Sequence, residues 1–179
     1  MIHRYFPLLF LVFCCFSGLS QEKKVGPIIE AYGEVWNIEN PDFKTDTAQE
    51  FKVVFDVMDS PSSHDEINKK LETAARFLNM HAQSGVPKSQ LKVAIIVHNQ
   101  ASKDIAHDEA YHKRFGVPNP NSGLIMALLD ADVEIIYCGQ SSFSRDFPKK
   151  DLIPGVKIAL SAMTASIQLQ NEGFHLIKL

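Results

Sequence analysis

Cysteine is scarce and poorly placed to staple a fold: there are three in 179 residues, and two of them, Cys14 and Cys15, fall within the first twenty. A chain that loses that end keeps only Cys138, which cannot close an internal disulfide, so its stability must come from a packed core. Basic charge is not in excess either. The 18 Lys and Arg face 21 Asp and Glu, a net charge of −3 that becomes one unit more negative without Arg4, and this excludes the basic footprint of a nucleic-acid binder. No glycine-rich phosphate loop and no paired cysteines occur, so nucleotide, flavin and dithiol-redox chemistry have no support, and neither a cofactor nor a metal centre is expected. Repeats and low-complexity segments are absent, and no apolar run reaches the ~20 residues needed to span a bilayer.

What the amino end does contain is a positive Met1 to Arg4, an apolar Phe6 to Phe16 and the small residues of Gly18-Leu19-Ser20. This is the layout of a secretory signal cut after Ser20, which implies an exported, periplasmic protein without a membrane span after processing. Acylation at Cys14 or Cys15 is the alternative, but Phe13 stands where a lipoprotein site normally has small residues. The remaining ~160 residues suit one domain.

Residues 21–50 read as an arm punctuated by Gly26-Pro27, Gly33 and Asn40-Pro41, with one short strand over Tyr32 to Ile38. It is expected to lie across the domain or against a neighbouring subunit. From residue 51 to 179 the chain alternates strands and helices. Phe51 to Met58 is a strand stopped by Pro61. Ser63 and Glu66 form a capping box, ahead of Ile67, Leu71, Ala74, Ala75 and Leu78 at helical spacing, and that helix should end near Ser84-Gly85. Leu91 to Val97 is a second strand. Helical segments are expected over Lys103 to about Lys113 and Ser122 to Asp130, divided by the prolines of 117–121. Val133 to Cys138 is a third strand; Val156 to Leu160 and Phe174 to Ile177 flank a helix capped at Ser161 and ended by Gly173. Five strands, the central ones apolar on both faces, alternate with helices. They predict an α/β domain: three α/β/α layers around a mainly parallel sheet.

In an open parallel sheet, ligands bind beyond the carboxyl ends of the strands. Those ends carry Asp59-Ser60, His98-Asn99-Gln100, Cys138-Gly139-Gln140 and Ser161. Cys138 is the leading candidate, because backbone N–H groups and a nearby cation favour the nucleophilic thiolate. Gly139 permits close backbone approach, Arg145 follows the loop 140–144, and His98 ends a strand on the same rim as a base or charge partner. A small apolar residue packed at a strand end would look the same in sequence. His107 and His112 are five apart and do not share a helix face as zinc ligands would, so they read as solvated helix residues.

Several short segments together resemble the DsrE/DsrF-like family, which includes the TusBCD-type sulfur-relay proteins, and the resemblance is nearest to an exported branch. They are Lys52 to Asp56, Arg76 to Asn79, Val97-His98, Asn119-Pro120-Asn121, Cys138 to Ser141, Leu160 to Thr164 and Leu169 to Phe174. The likeness runs over Phe51 to Leu179. It implies a five-stranded parallel fold, homo-oligomers and a persulfide carried on Cys138, taken from a small sulfur donor and passed to a thiol-bearing acceptor protein. His98 would shuttle a proton, and Gly139, Gln140, Ser141, Arg145, Asn119 and Asn121 would surround the substrate. Asn99 stands where many relatives are expected to have glycine. Two other readings remain: a non-catalytic oligomeric module that binds a small ligand, and a Cys/His hydrolase, which would need a residue to orient His98 and an oxyanion site.

Overall fold

The computed structural model describes residues 22–179, so the signal segment expected at Met1 to Ser20 lies outside the described residues. Five strands, β1 (Phe51–Val57), β2 (Leu91–Val97), β3 (Glu134–Cys138), β4 (Lys157–Ala159) and β5 (His175–Lys178), form one sheet in the order β4-β3-β2-β1-β5. Every pairing is parallel, in register Val57 to Val97 and Val97 to Tyr137. Five helices, α1 (Lys69–Gln83), α2 (Asp108–Phe115), α3 (Ser122–Asp130), α4 (Gly139–Ser144) and α5 (Ala162–Asn171), provide the crossovers and the site. Among the described residues no helix is long and apolar enough to cross a membrane.

The two-residue period of a strand sorts the central residues onto two faces. Val53, Phe55, Val57, Ile95, Val97, Ile135 and Tyr137 join the larger core beneath α1 and α3, whereas Val54, Ala94 and Ile96 meet Ala165 and Leu169 of α5. Burying an isoleucine such as Ile95 or Ile96, each fully enclosed, contributes about 1.5–3 kcal/mol relative to leaving it in water. The α5 layer is thin. Its outward residues Met163 (74% exposed) and Ile167 (59%), beside Leu160 (74%), form an uncovered apolar strip.

Several local expectations shift. The first helix starts at Lys69, because Asn68 caps it, its side chain accepting from the Lys70 N–H at 3.0 Å while its amide donates to Asp59 O and Asp104 Oδ2. Ser63 pairs instead with Asp65, and His64 stacks on Phe115, so the capping box lies in a loop. The second helical region splits into a 3-10 segment, Asn99–Ile105, and α2, because Ala106 leaves the helix to bridge Leu152. His107 caps α2, its Nδ1 accepting from the Ala110 N–H, and His112 is exposed. The expected loop 140–144 is the short helix α4.

Tyr32 to Ile38 forms no strand; the arm contributes one antiparallel bridge, Lys24 to Val35. It lies across α1 of its own chain. The fully buried Asn79 accepts from Ile28 N (3.3 Å) and Ile29 N (2.9 Å) and donates to the carbonyls of Ile29, Tyr32 and Gly33. Gly33 sits so close that a Cβ there would lie 2.5 Å from the Ala75 carbonyl carbon, and its φ of +76° also favours glycine.

Candidate functional site

β3 ends at Cys138, and α4 begins at the next residue. Gly139 makes this abrupt change possible, since a Cβ would fall 2.6 Å from Ala159 O, at the end of neighbouring β4, and 3.1 Å from Leu160 O just beyond it. The Cys138 side chain is then enclosed, with the residue 6% exposed. Burial pushes the thiol pKa up, but the N–H groups of Ser141, Ala162 and Gln140 and the Ser141 hydroxyl outweigh it and hold the thiol below its ordinary value. These donors belong to the first turns of α4 and α5, whose N–H groups have no partners within their own helices. Ser161 caps α5 by accepting from Thr164 N at 3.0 Å, and the Ala162 N–H turns to the sulfur. Two helix starts thus present partial positive charge to one sulfur, favouring thiolate.

Ser141 is held for this role. Its Oγ accepts the Asn99 N–H at 3.0 Å, which directs its single O–H elsewhere, and the thiolate is an available acceptor. Asn99 has φ of +54°, a left-handed conformation that asparagine tolerates. This accounts for the expectation of glycine at this position: the backbone has the geometry glycine most readily adopts, reached here by asparagine.

Strand alternation places Asp56, His98 and Cys138 on the α5 face, beyond Val54, Ile96 and Ile136. Adjacent strands are about 4.8 Å apart, and His98 lies level with Cys138. Its Nε2 meets Asp56 Oδ1 at 2.8 Å, and no hydrogen bond joins it to the thiol. Asp56 was not singled out in sequence. The available signal was an acid at the end of an otherwise apolar strand, but its partner is 42 residues away and emerges only from strand pairing. The Asp56–His98 pair supplies the orienting group a hydrolase needs; chemically it can fix one imidazole nitrogen and leave Nδ1 for proton transfer.

The other expected residues separate into distinct settings. Gln140 is exposed and donates from Nε2 to Leu160 O. Arg145 is not among the groups stabilising the thiolate: α4 carries it to the opposite side of the sheet, where it bonds Asn99 Oδ1 and lines a cavity with Lys103 and Arg114. Asn119 and Asn121 are buried away from the sulfur. Asn119 donates to Asp104 O (2.9 Å) and Ala106 O (2.7 Å), while Asn121 accepts from Asn68 N (2.7 Å) and donates to Asp104 Oδ1 (3.3 Å). Their amides organise loops. Burial pushes the Asp104 pKa up to about 6, against opposing hydrogen bonds from Asn68 and Ser60 and the nearby Lys103 charge.

The model of the DsrE/DsrF-like family matches residues 52–179, which take in all five helices and, Phe51 apart, all five strands described above. The chain belongs to the DsrE/DsrF-like family. The arm that precedes β1 lies outside the region matched. Two solved structures share the DsrE-like fold at low identity. A protein of unknown function, MTH1491 from Methanobacterium thermoautotrophicum, superposes with a TM-score of 0.54 at 16% identity, covering 72% of this chain and 99% of its own. The ychN protein from E. coli gives 0.53 at 15% identity, with the same coverage. No curated protein matches the chain. Among the described residues, no three His, Cys, Asp or Glu converge as a metal site.

Proposed function

We propose that the protein carries sulfane sulfur on Cys138 and transfers it to an acceptor thiol. The supporting observation is the enclosed sulfur at the start of two helices, with three backbone N–H groups and a hydroxyl favouring its thiolate. In the loading step the thiolate attacks the outer sulfur of a persulfide or polysulfide donor, R–S–SH. A new S–S bond forms, the donor S–S bond breaks, and R–S⁻ leaves, so the outer sulfur moves without net oxidation. An acceptor thiolate then attacks the outer sulfur of Cys138–S–SH and releases the Cys138 thiolate. The same N–H groups accommodate negative charge before and after each exchange. His98, oriented by Asp56, takes the thiol proton as the donor approaches.

Intact-mass spectrometry after exposure to inorganic polysulfide tests this reading. The wild type should gain mass in whole-sulfur steps that a thiol reductant removes, and Cys138→Ser should gain none. Equal gain by the variant, or no gain by a wild-type thiol that alkylates only on unfolding, would reject carriage on this residue. The signal-like amino end adds an exported, periplasmic setting. The same spectrum checks it, because a processed chain begins at Gln21.

The reading also includes self-association through α5. Leu160, Met163 and Ile167 are an apolar strip that a second copy can cover. The double substitution Met163→Asp and Ile167→Asp should reduce the mass measured by light scattering to that of one chain while preserving the far-ultraviolet circular dichroism. An unchanged mass would place any assembly elsewhere.

A further inference from the structure

We propose that the cavity across the sheet from Cys138 is a binding site for a small organic anion bearing a flat apolar group. It has a volume of about 420 Å³ and lies beyond the carboxyl ends of β1 and β2, between the β1–α1 loop, the 3-10 segment, α2 and the end of α4. That size falls within the ~300–1,000 Å³ of small-molecule sites. Lys103, Arg114 and Arg145 line it, and no carboxylate does. Among the described residues, Arg114 alone of the three makes an ion pair, to Asp146 on the outer rim with Nη2 to Oδ2 at 2.8 Å, while Lys103 lies within electrostatic reach of buried Asp104. Lys103 donates to the carbonyl of Pro61, and Arg145 donates to the neutral amide of Asn99. Three like charges around one cavity repel each other, and a bound anion relieves that repulsion.

The walls favour more than a bare inorganic ion. Phe147 lies beneath Arg114, 4.1 Å from the guanidinium carbon to the ring centroid, and Phe115 stacks on His64 at 4.3 Å with 25° between planes. These rings can receive a planar apolar body while the cations hold a carboxylate, sulfonate or phosphate. A second observation concerns the core beside the cavity. Tyr137 is fully buried near the end of β3, with its hydroxyl beside that of Ser102, a lining residue, and within electrostatic reach of Arg114 and Arg145, which also line the cavity. Tyr137 and Cys138 point to opposite faces, so the cavity lies apart from the sulfur, with Asn99 between the two: it accepts from Arg145 and donates to Ser141.

Titration with 8-anilino-1-naphthalenesulfonate, followed by fluorescence, tests the proposal on the full chain. The uncharged N-phenyl-1-naphthylamine serves as the matched probe. One equivalent of the sulfonate should bind, at least tenfold more tightly than the neutral amine. Lys103→Gln and Arg145→Gln should each weaken it severalfold and together by at least tenfold. Lys157→Gln, a lysine paired with Glu134 on β3, should leave it unchanged. Equal affinity for the two probes, or retention by the double variant, would overturn the proposal. So would loss on substituting Met163 and Ile167, since the probe would then be reporting the α5 strip.

Discussion

Asn79→Ala should destabilise the protein by about 3 kcal/mol, because one substitution leaves several buried backbone groups of the arm unpaired. The carboxamide accepts from two N–H groups and donates to three carbonyls between Ile28 and Gly33. No other side chain serves that set, and water is excluded from the position. The loss would be a large part of the roughly 5–15 kcal/mol that holds a domain together. Urea unfolding should show a lower midpoint, and hydrogen exchange should speed up first at Ile29. Asn79→Asp should fare no better: it keeps the acceptors, loses the donors and introduces a buried charge. A change below about 1 kcal/mol would mean that the arm contributes little to the fold.

Ser141→Ala should raise the apparent pKa of Cys138, as expected when a hydrogen bond to a thiolate is removed. The direction follows from the chemistry: these donors hold the thiol below its ordinary value by favouring the charged form, so deleting one favours the protonated form. At a pH below the apparent pKa the thiolate population falls, and the greater intrinsic nucleophilicity of the more basic thiolate offsets only part of that loss. The net result is slower alkylation by iodoacetamide below the apparent pKa, with the pH–rate curve displaced to higher pH. An undisplaced curve would show that the backbone N–H groups alone set the thiol's acidity. Gly139→Ala should disturb the thiol further, because its Cβ meets two backbone carbonyls that cannot rotate away.

Features governed by nearby residues were largely legible in sequence. Leu91–Val97 and Ser122–Asp130 have the bounds their patterns imply, and Cys138 ends its strand. Features requiring distant partners were less so. Ser63 and Glu66 satisfy the local rule for a helix start, but Asn68 reaches Asp59 and Asp104 as well as the helix, and those contacts determine the beginning of α1. Asp56 looked like one acid in an apolar strand until β1 and β2 paired. Arg145 was close enough in sequence to suggest a charge for Cys138, yet one short helix carries it around the sheet's end to another cavity. Asn119 and Asn121 were recognisable as a motif, but only their burial distinguishes amides that organise loops from amides that contact ligand.

The sheet's edges restrict how copies can meet. β4 offers three residues and β5 four, with Lys157 on one and His175 and Lys178 on the other. Short, charged edges are poor templates for a strand from another chain. Growth by extending the sheet is therefore disfavoured, and the apolar strip of α5 leaves side-chain packing as the available mode of contact. Such contact can close into a finite assembly, and it leaves each chain's strand register untouched.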